Sequence, residues 1–327
     1  MDIWFIPAIE LFGTSVYHYI VYGILLLIFI YLIARYQAVT LVKTRKLLRE
    51  KETAFKEIAR QRQELENKNK SITDSLIYAS YMQQALLPSE DYFKSILPDS
   101  FIFFKPKDIV SGDFYWITRR GGKIFVVAAD CTGHGVPGAF LSMIGVELLN
   151  KIILDQGIQR PSEILKVLGR GIERTFGGSN NNRVLIRDGM DIGLCAIDEK
   201  KGELQYAGAF LNLYLLRDNK LTEIKGEKLT IGLLGELLFT NHSIKIEPDD
   251  VIYLFSDGYA DQFGGPYNKK FMYRRFRHLL LTIHKFPLEE QKNIINESIE
   301  SWRRGDEQVD DFLVIGIRLS LKDVPNH

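Results

Sequence analysis

Hydrophobic and polar positions are patterned in three different ways along this chain, and each pattern predicts a different structure. The first is a predominantly apolar run, Val16–Ala34, without a single Asp, Glu, Lys or Arg. From Leu41 to Leu86 apolar residues recur every three or four positions among many charges, which is typical of a helix. From about Pro98 onward, short apolar runs separated by turn residues predict strands interspersed with helices.

The run Val16–Ala34 is long enough to cross a membrane as one helix. Asp2 and Glu10 precede it without any Lys or Arg, unlike the basic start of a signal peptide, whereas Arg35 and further basic residues follow it. The positive-inside rule places residues 1–15 outside the cytoplasm and everything after Arg35 inside. We therefore predict a single transmembrane helix in the inner (cytoplasmic) membrane, with residues 1–15 outside and the chain after Arg35 in the cytoplasm.

Residues 35–87 are predicted to form a helical stalk. A heptad register that starts at Leu41 places mostly apolar residues at the a and d positions, which favours a coiled-coil homodimer. Arg62 and Asn69 occupy a positions and would weaken the middle of that seam. A single solvated helix, or one packed on the following domain, is the alternative. Pro88 predicts the end of the helix, because a residue before proline resists the α conformation.

Residues 88–322 are predicted to form an α+β domain, an antiparallel β-sandwich flanked by helices, followed by a tail at residues 323–327. Glycine- and asparagine-containing turns separate the apolar runs, and the segment Gly177–Arg187 predicts a loop. The predicted strands are Phe101–Phe104, Asp113–Thr118, Lys123–Ala129, Asp191–Ile197, Leu204–Ala207, Leu213–Arg217, Val251–Phe255 and Phe312–Arg318. The predicted helices are Ala139–Asp155, Ser162–Phe176, Lys269–His284 and Leu288–Trp302.

Composition excludes several classes of function. The net charge is +1, and no basic face with interleaved aromatic residues is present, so nucleic acid is not an expected partner. Both cysteines, Cys131 and Cys195, lie in apolar strand-like segments and predict neither a disulfide framework nor a thiolate metal site. The six histidines are scattered without the paired spacing that is typical of zinc enzymes.

Acidic residues mark the ends of four predicted strands. Asp113 begins one strand, Asp130 ends another, Asp257 follows a third, and Asp310 with Asp311 precedes the last. Strand-end carboxylates can meet at one rim of a sheet, and carboxylates that crowd together repel unless a cation neutralises them. Oxygen ligands without His or Cys favour Mg²⁺ or Mn²⁺. Each Asp taken singly is equally consistent with a turn residue.

Five motifs in this order resemble the bacterial PP2C-like (PPM) serine/threonine phosphatases of the SpoIIE/RsbU type. They are Ser111-Gly112-Asp113-Phe114-Tyr115-Trp116, Asp130-Cys131-Thr132-Gly133-His134-Gly135-Val136-Pro137-Gly138-Ala139, Tyr206-Ala207-Gly208-Ala209, Phe255-Ser256-Asp257-Gly258-Tyr259-Ala260-Asp261 and Asp310-Asp311-Phe312. The resemblance extends from about Ala85 to Leu319. It implies a central β-sandwich flanked by helices, with two Mn²⁺ or Mg²⁺ ions at one end.

The resemblance also implies the metal ligands, which would be Asp113, Asp130, the backbone carbonyl of Cys131, Asp257 and Asp310. Asp310 is preferred to Asp311 because the first acid of that pair aligns with the family ligand. Asp311 is a weaker candidate, and Asp261 and Asp191 are weaker candidates for an outer position or a transient third ion. Two ions roughly 4 Å apart would lower the pKa of a bridging water and orient a phosphate for in-line attack.

Three features depart from the family pattern. Cys131-Thr132 follows Asp130 where eukaryotic relatives carry Asp-Gly-His, so their general acid is absent, and His134 is interpreted as a turn or cap residue. The segment Ala209-Phe210-Leu211-Asn212 replaces the usual Asn-Asn-Pro or His-Asn-Pro. No counterpart of the family's phosphate-binding arginine is apparent, and Lys105 and Lys107 are the nearest cations.

The resemblance and the segments before it together predict a membrane-anchored, metal-dependent protein phosphatase in bacterial signalling. Its substrate would be phosphoserine or phosphothreonine on a regulatory protein, such as an anti-sigma-factor antagonist. Helix Ser71–Leu87 would couple an N-terminal signal from a membrane sensor partner, or from assembly of the stalk, to the metal site. The rival hypotheses are a pseudophosphatase that acts as a membrane-tethered binding module, and a phosphatase of a small phosphorylated metabolite.

Overall fold

A computed structural model describes residues 6–133, 135–176, 188–232 and 238–320, with side chains from residue 16 onward. The chain divides into two compact units, Met1–Thr73 and Asp74–His327. The predicted loop Gly177–Arg187, the predicted tail at residues 323–327 and His134 lie outside the described residues.

A long helix, α1 (Ile6–Leu86), contains both the apolar run and the charged stalk. It ends two residues before Pro88, as the sequence predicts. In the described part of the chain, two helical segments are long and apolar enough to cross a membrane, namely the apolar part of α1 and Val136–Asp155. The window in α1 is wholly exposed, whereas half of the second window is buried in the domain core. The transmembrane assignment of Val16–Ala34 stays a prediction.

The Asp74–His327 unit contains six helices after the end of α1 and twelve strands among its described residues. After α1 the helices are α2 (Glu90–Ile96), α3 (Val136–Leu149), α4 (Pro161–Phe176), α5 (Gly258–Asp261), α6 (Met272–Ile283) and α7 (Leu288–Arg303). The strands are β1 (Ser100–Lys105), β2 (Phe114–Arg120), β3 (Lys123–Cys131), β4 (Met190–Asp198), β5 (Glu203–Ala209), β6 (Leu213–Arg217), β7 (Lys220–Ile224), β8 (His242–Lys245), β9 (Val251–Phe255), β10 (Phe263–Gly264), β11 (Lys269–Lys270) and β12 (Phe312–Arg318).

Two antiparallel sheets carry most of these strands. The first has the order β1-β12-β9-β6-β7, and the second has the order β2-β3-β4-β5-β8. Apolar side chains from the two inner faces, such as Ile102, Val126 and Leu254, form a shared core between the sheets. Helices α3 and α4 cover the outer face of the second sheet, and α6 and α7 cover that of the first. The predicted helix-flanked β-sandwich is therefore confirmed.

Some predicted boundaries are wrong. Helix α3 begins at Val136 and ends at Leu149, and a π-helical segment, Asn150–Asp155, continues it. The predicted helix Lys269–His284 is wrong at its start, because Lys269 and Lys270 pair with β10 as strand β11. Strands β7 and β8 were not predicted. Both lie at sheet edges and bury few side chains, so their sequences lack a clear apolar alternation.

Candidate active site

Three acids lie at one edge of the second sheet because neighbouring strands run in opposite directions. Asp130, near the end of β3, pairs directly with Asp191, near the start of β4. Asp113 immediately precedes β2, whose first residue, Phe114, pairs with Ala129. The end of β3 therefore meets the beginnings of both neighbouring strands, and their carboxylates lie together.

The first sheet contributes acids by the same geometry. Strand β9 ends at Phe255 and lies antiparallel to β12, with Phe255 paired to Val314. Asp257 follows the end of β9, and Asp310 and Asp311 precede the start of β12, so they lie beyond the same sheet edge. Asp130 and Asp257 line the same cleft, so the strand ends of the two sheets that carry them lie next to each other.

We call the adjoining strand ends that carry these acids the acidic edge; its acids are Asp113, Asp130, Asp191, Asp257, Asp310 and Asp311. Burial and mutual repulsion dominate its electrostatics. Burial, and then the charge of Asp130, raises the pKa of Asp113 well above its ordinary value. Burial and the charge of Asp257 do the same to the pKa of Asp130. Asp257 keeps part of its side chain open to solvent, yet burial and the charge of Asp310 raise its pKa to about 6. Several carboxylates are thus held where their ionised forms are unfavourable without a compensating cation.

The donors fit a hard divalent cation. Asp113 is only 2% exposed, and its Oδ2 has no hydrogen-bond partner among the described residues. Such orphaned carboxylate oxygens suit Mg²⁺ or Mn²⁺, which prefer oxygen ligands. In the part of the chain that the structure describes, no three His, Cys, Asp or Glu side chains are grouped closely enough to form a ready-made metal-binding set. The acids are neighbours, but they do not form a preassembled coordination shell.

Both carboxylate oxygens of Asp311 accept hydrogen bonds from backbone amides. Its Oδ1 accepts a hydrogen bond from the amide of Lys107 at 2.7 Å, and its Oδ2 accepts from the amides of Gly112 and Asp113 at 2.8 and 3.3 Å. These bonds hold the segment before β2 against the start of β12. Asp310, in contrast, accepts at Oδ1 from the amide of Asp311 at 2.9 Å. The pattern suits a positioning role for Asp311, and the choice of Asp310 as the ligand stays a prediction.

The backbone carbonyl of Cys131 lies beside the same segment. A Cβ atom added to Gly112 would lie 3.1 Å from that carbonyl oxygen and 3.0 Å from the carbonyl oxygen of Gly133. Glycine at position 112 permits this close approach. Burial, and then the charge of Asp130, raises the pKa of the Cys131 thiol well above its ordinary value, so the side chain is a neutral thiol at pH 7. The carbonyl rather than the sulfur is the suitable oxygen donor.

The two outer candidates already have partners. Asp191 accepts a hydrogen bond at Oδ1 from the hydroxyl of Thr230 at 2.9 Å, and burial raises its pKa. Asp261 forms an ion pair with Lys270, whose Nζ lies 2.7 Å from Oδ2. Asp191 lies next to Asp130, whereas the pairing of Asp261 with a cation weakens its case as a ligand.

A cleft of about 150 Å³ opens at this edge. Its charged lining residues are Asp130, Asp191 and Asp257, and its other lining residues are Phe210, Leu211, Asn212, Phe255 and Tyr273. Nothing in the sequence singled out Tyr273, because it is one apolar residue near the start of a predicted helix and lies in the first turn of α6. Lys105, which the sequence offered as a nearby cation, pairs instead with Glu300.

Gln83, in the last turn of α1, is a second residue that sequence reasoning missed. Its side chain is 6% exposed and forms hydrogen bonds with the backbone of Ser111 and with the hydroxyl of Ser142. The heptad pattern places Gln83 at an a position, where an apolar residue is expected. The polar side chain at that position was the only sign in the sequence of another role for Gln83.

Comparison with known proteins places this site in a family. Residues 120–320 match the family model described as Stage II sporulation protein E (SpoIIE). The phosphoserine phosphatase RsbU of Bacillus subtilis is 26% identical over 203 residues, which are 61% of this chain and 57% of RsbU. The chain thus matches little more than half the length of that relative.

Solved structures share the fold. The PP2C domain of SiaA from Pseudomonas aeruginosa is 31% identical, has a TM-score of 0.70, and is matched over 77% of this chain and 98% of that domain. The PP2C phosphatase domain of SpoIIE from Bacillus subtilis, with a regulatory fragment, is 18% identical with a TM-score of 0.55, over 68% of this chain and 63% of that one. The chain therefore belongs to the SpoIIE family and has the PP2C-like fold.

Proposed function

We propose that this protein is a metal-dependent phosphatase that hydrolyses phosphoserine or phosphothreonine on a regulatory protein. The observation that carries the proposal is the position of Asp113, Asp130, Asp257 and Asp310, which all lie at adjoining strand ends of the two sheets. Oδ2 of Asp113 is also buried and has no hydrogen-bond partner among the described residues. Membership of the SpoIIE family and the likeness to the phosphoserine phosphatase RsbU support the same reaction class.

The chain's own residues have separate roles in this proposal. Asp113, Asp130, Asp257, Asp310 and the carbonyl of Cys131 would hold two Mn²⁺ or Mg²⁺ ions. Asp311 positions the segment that carries Asp113 through three backbone amides. When bound, the cations neutralise phosphate charge and lower the pKa of water, so that water can attack phosphorus without a covalent enzyme intermediate.

The substrate class and the setting are further parts of the proposal. An anti-sigma-factor antagonist is the proposed kind of phosphoprotein, as the resemblance of the five motifs to the SpoIIE/RsbU type implies, and the likeness to the phosphoserine phosphatase RsbU supports phosphoserine as the hydrolysed group. The exposed apolar run Val16–Ala34, followed by Arg35 and other basic residues, supports a single inner-membrane span with a cytoplasmic catalytic domain. The stalk supports a homodimer and a signal from a membrane partner.

The proposal is tested by measuring phosphate release from a phosphoserine peptide by the full chain in detergent. We expect turnover with Mn²⁺ or Mg²⁺ and none with EDTA. Asp130→Asn should abolish turnover and leave the circular dichroism spectrum unchanged, because it removes one ligand and one compensating charge. A wild-type chain that binds Mn²⁺ without releasing phosphate would favour the pseudophosphatase. Equal activity of Asp130→Asn and wild type would contradict the assigned site.

A further inference from the structure

Phe210 adopts a backbone conformation that bulky residues rarely adopt. Its φ is +54°, in the left-handed region. The amide of Leu211 donates a hydrogen bond across it to the carbonyl of Ala209 at 2.6 Å, which is the bond of a three-residue γ-turn. A γ-turn with a positive φ at its central residue is rare and strained. A glycine at position 210 would adopt this conformation without strain.

The surrounding chain holds this turn in place. The amide of Phe210 donates to the carbonyl of Glu227 at 2.7 Å, and the hydroxyl of Tyr206 donates to the carbonyl of Leu211 at 2.6 Å. Gly226 packs so closely that an added Cβ atom would lie 2.3 Å from the carbonyl oxygen of Leu211. Strained residues persist where neighbouring contacts determine their conformation, and they concentrate at functional sites.

The strain does not serve to bury the ring. The side chain of Phe210 is 48% exposed and lines the acidic cleft. Leu211, Phe255 and Tyr273 line the same cleft, and Tyr273 is itself 39% exposed. Leu211 and Phe255 belong to the core and are only 8% and 4% exposed, so the accessible apolar lining of the cleft is an aromatic wall formed by Phe210 and Tyr273. Phe210 presents the more exposed ring of this wall.

We propose that this aromatic wall (Phe210 and Tyr273) docks an uncharged, apolar residue of the substrate directly beside its phosphoserine or phosphothreonine. The inference rests on the proposed function and adds the sequence preference of the same site. An apolar neighbour would remove the exposed ring of Phe210 from water. An acidic neighbour would gain no such contact and would be repelled by Asp191, which lines the same cleft and is not among the proposed cation ligands.

Two synthetic phosphoserine peptides test the preference, one with Leu and one with Glu beside the phosphoserine, and a third with Ala there sets the baseline. We expect wild type with Mn²⁺ to prefer the Leu peptide to the Glu peptide by about tenfold in kcat/KM. In Phe210→Gly this preference should fall severalfold, because kcat/KM for the Leu peptide should fall toward that for the Ala peptide. Because glycine relieves the strained φ, the melting temperature should equal or exceed that of wild type.

Phe286→Ala is the matched control. Phe286 is also a half-exposed phenylalanine, but it lies at the opposite end of β9 from the cleft. Its carbonyl accepts a hydrogen bond from Arg318, and Arg318 pairs with Val251, the first residue of β9. This variant should keep the preference of wild type. Equal kcat/KM for the Leu and Glu peptides in wild type, or an unchanged preference in Phe210→Gly, would overturn the inference.

A binding measurement separates this inference from the proposed reaction. The same peptides with a non-hydrolysable phosphonate in place of the phosphate would be titrated calorimetrically into each variant with Mn²⁺ present. Tighter binding of the Leu peptide to wild type, lost in Phe210→Gly, supports the aromatic wall even if no peptide is hydrolysed. Hydrolysis of all peptides with equal phosphonate binding supports the phosphatase and refutes the wall.

Discussion

The side chain of Gln83 and the backbone of Ser111 hydrogen-bond to each other in both directions. Nε2 of Gln83 donates to the carbonyl of Ser111 at 2.7 Å, and the amide of Ser111 donates to Oε1 of Gln83 at 3.1 Å. Nε2 also donates to the hydroxyl of Ser142 at 2.8 Å. The last turn of α1 thereby holds the residue two positions before Asp113.

Gln83→Ala should destabilise the domain and impair the acidic edge together. It leaves buried backbone groups of Ser111 without partners, which costs about 2–4 kcal/mol in unfolding free energy. Displacement of the neighbouring Asp113 should lower metal-dependent turnover by about tenfold or more. Urea denaturation and phosphate release would be measured beside Gln84→Ala, an exposed neighbour that should behave as wild type. Wild-type turnover in Gln83→Ala would show that α1 does not position Asp113.

Asp310→Asn and Asp311→Asn should fail in different ways. Asp311 accepts three backbone amides, so losing its charge should cost the metal-free protein about 1–3 kcal/mol in unfolding free energy. Asp310→Asn should leave that free energy near the wild-type value and weaken Mn²⁺ binding. Urea denaturation and calorimetric Mn²⁺ titration of both variants separate the two roles. The opposite pattern would make Asp311 the ligand.

The stability of the metal-free protein should fall as pH rises. The pKa of Asp257 is raised from 3.8 to about 6, and those of Asp113 and Asp130 are also raised, so the folded state binds more protons than the unfolded chain. This contribution favours the folded state at low pH and is lost from about pH 4 upward, through pH 6 for Asp257. Melting curves in EDTA should therefore show a lower melting temperature at pH 7.5 than at pH 5.5.

Two comparisons isolate the acidic edge from other titrating groups. Asp257→Asn should reduce the fall in melting temperature between pH 5.5 and 7.5, because it removes one of the carboxyls whose pKa is raised in the folded state. Saturating Mn²⁺ should reverse the fall, since the cation binds the ionised carboxylates. A fall of the same size in Asp257→Asn as in wild type would contradict the cause assigned here.

Replacing Arg62 and Asn69 with Ile and Leu should strengthen a stalk dimer and fix one activity state. In α1, Arg62 is an exposed residue that pairs with Glu66 at 3.1 Å, an interaction worth only about 0.3–0.5 kcal/mol. The control places the same side chains one position away, as Gln63→Ile with Lys70→Leu, off the apolar seam. Stalk crosslinking and turnover would be measured in lipid. Increased crosslinking with turnover within about twofold of wild type would make the stalk only a spacer.

The sequence predicted the positions of the acids because strand ends are visible in an apolar pattern. Asp130 and Asp257 follow long buried runs, and antiparallel pairing then brings these strand ends together. The outer parts of the sheets were less predictable, since β7 and β8 bury too little to show alternation. The start of α6 was misplaced because Lys269 and Lys270 form a two-residue strand, which propensity does not reveal.

Long-range polar contacts were beyond sequence reasoning. The amides that bind Asp311 lie about 200 residues earlier in the chain, and their direction depends on the turn before β2. In the sequence, Gln83 is a polar residue at a heptad a position. Only the fold shows that it lies beside Ser111 and forms hydrogen bonds with it. Phe210 was noted only as a departure from a motif, and its positive φ becomes evident only with the γ-turn.

Diffraction at the manganese absorption edge, from crystals of the protein grown with Mn²⁺, would show directly whether these acids bind the metal. We expect two anomalous peaks at the adjoining strand ends of the two sheets, within about 2.0–2.4 Å of carboxylate oxygens of Asp113, Asp130, Asp257 and Asp310. Crystals of Asp130→Asn grown in the same way should lose at least one of these peaks. The absence of an anomalous peak beside these acids in wild-type crystals, at a Mn²⁺ concentration that supports phosphate release, would contradict their assignment as the metal site.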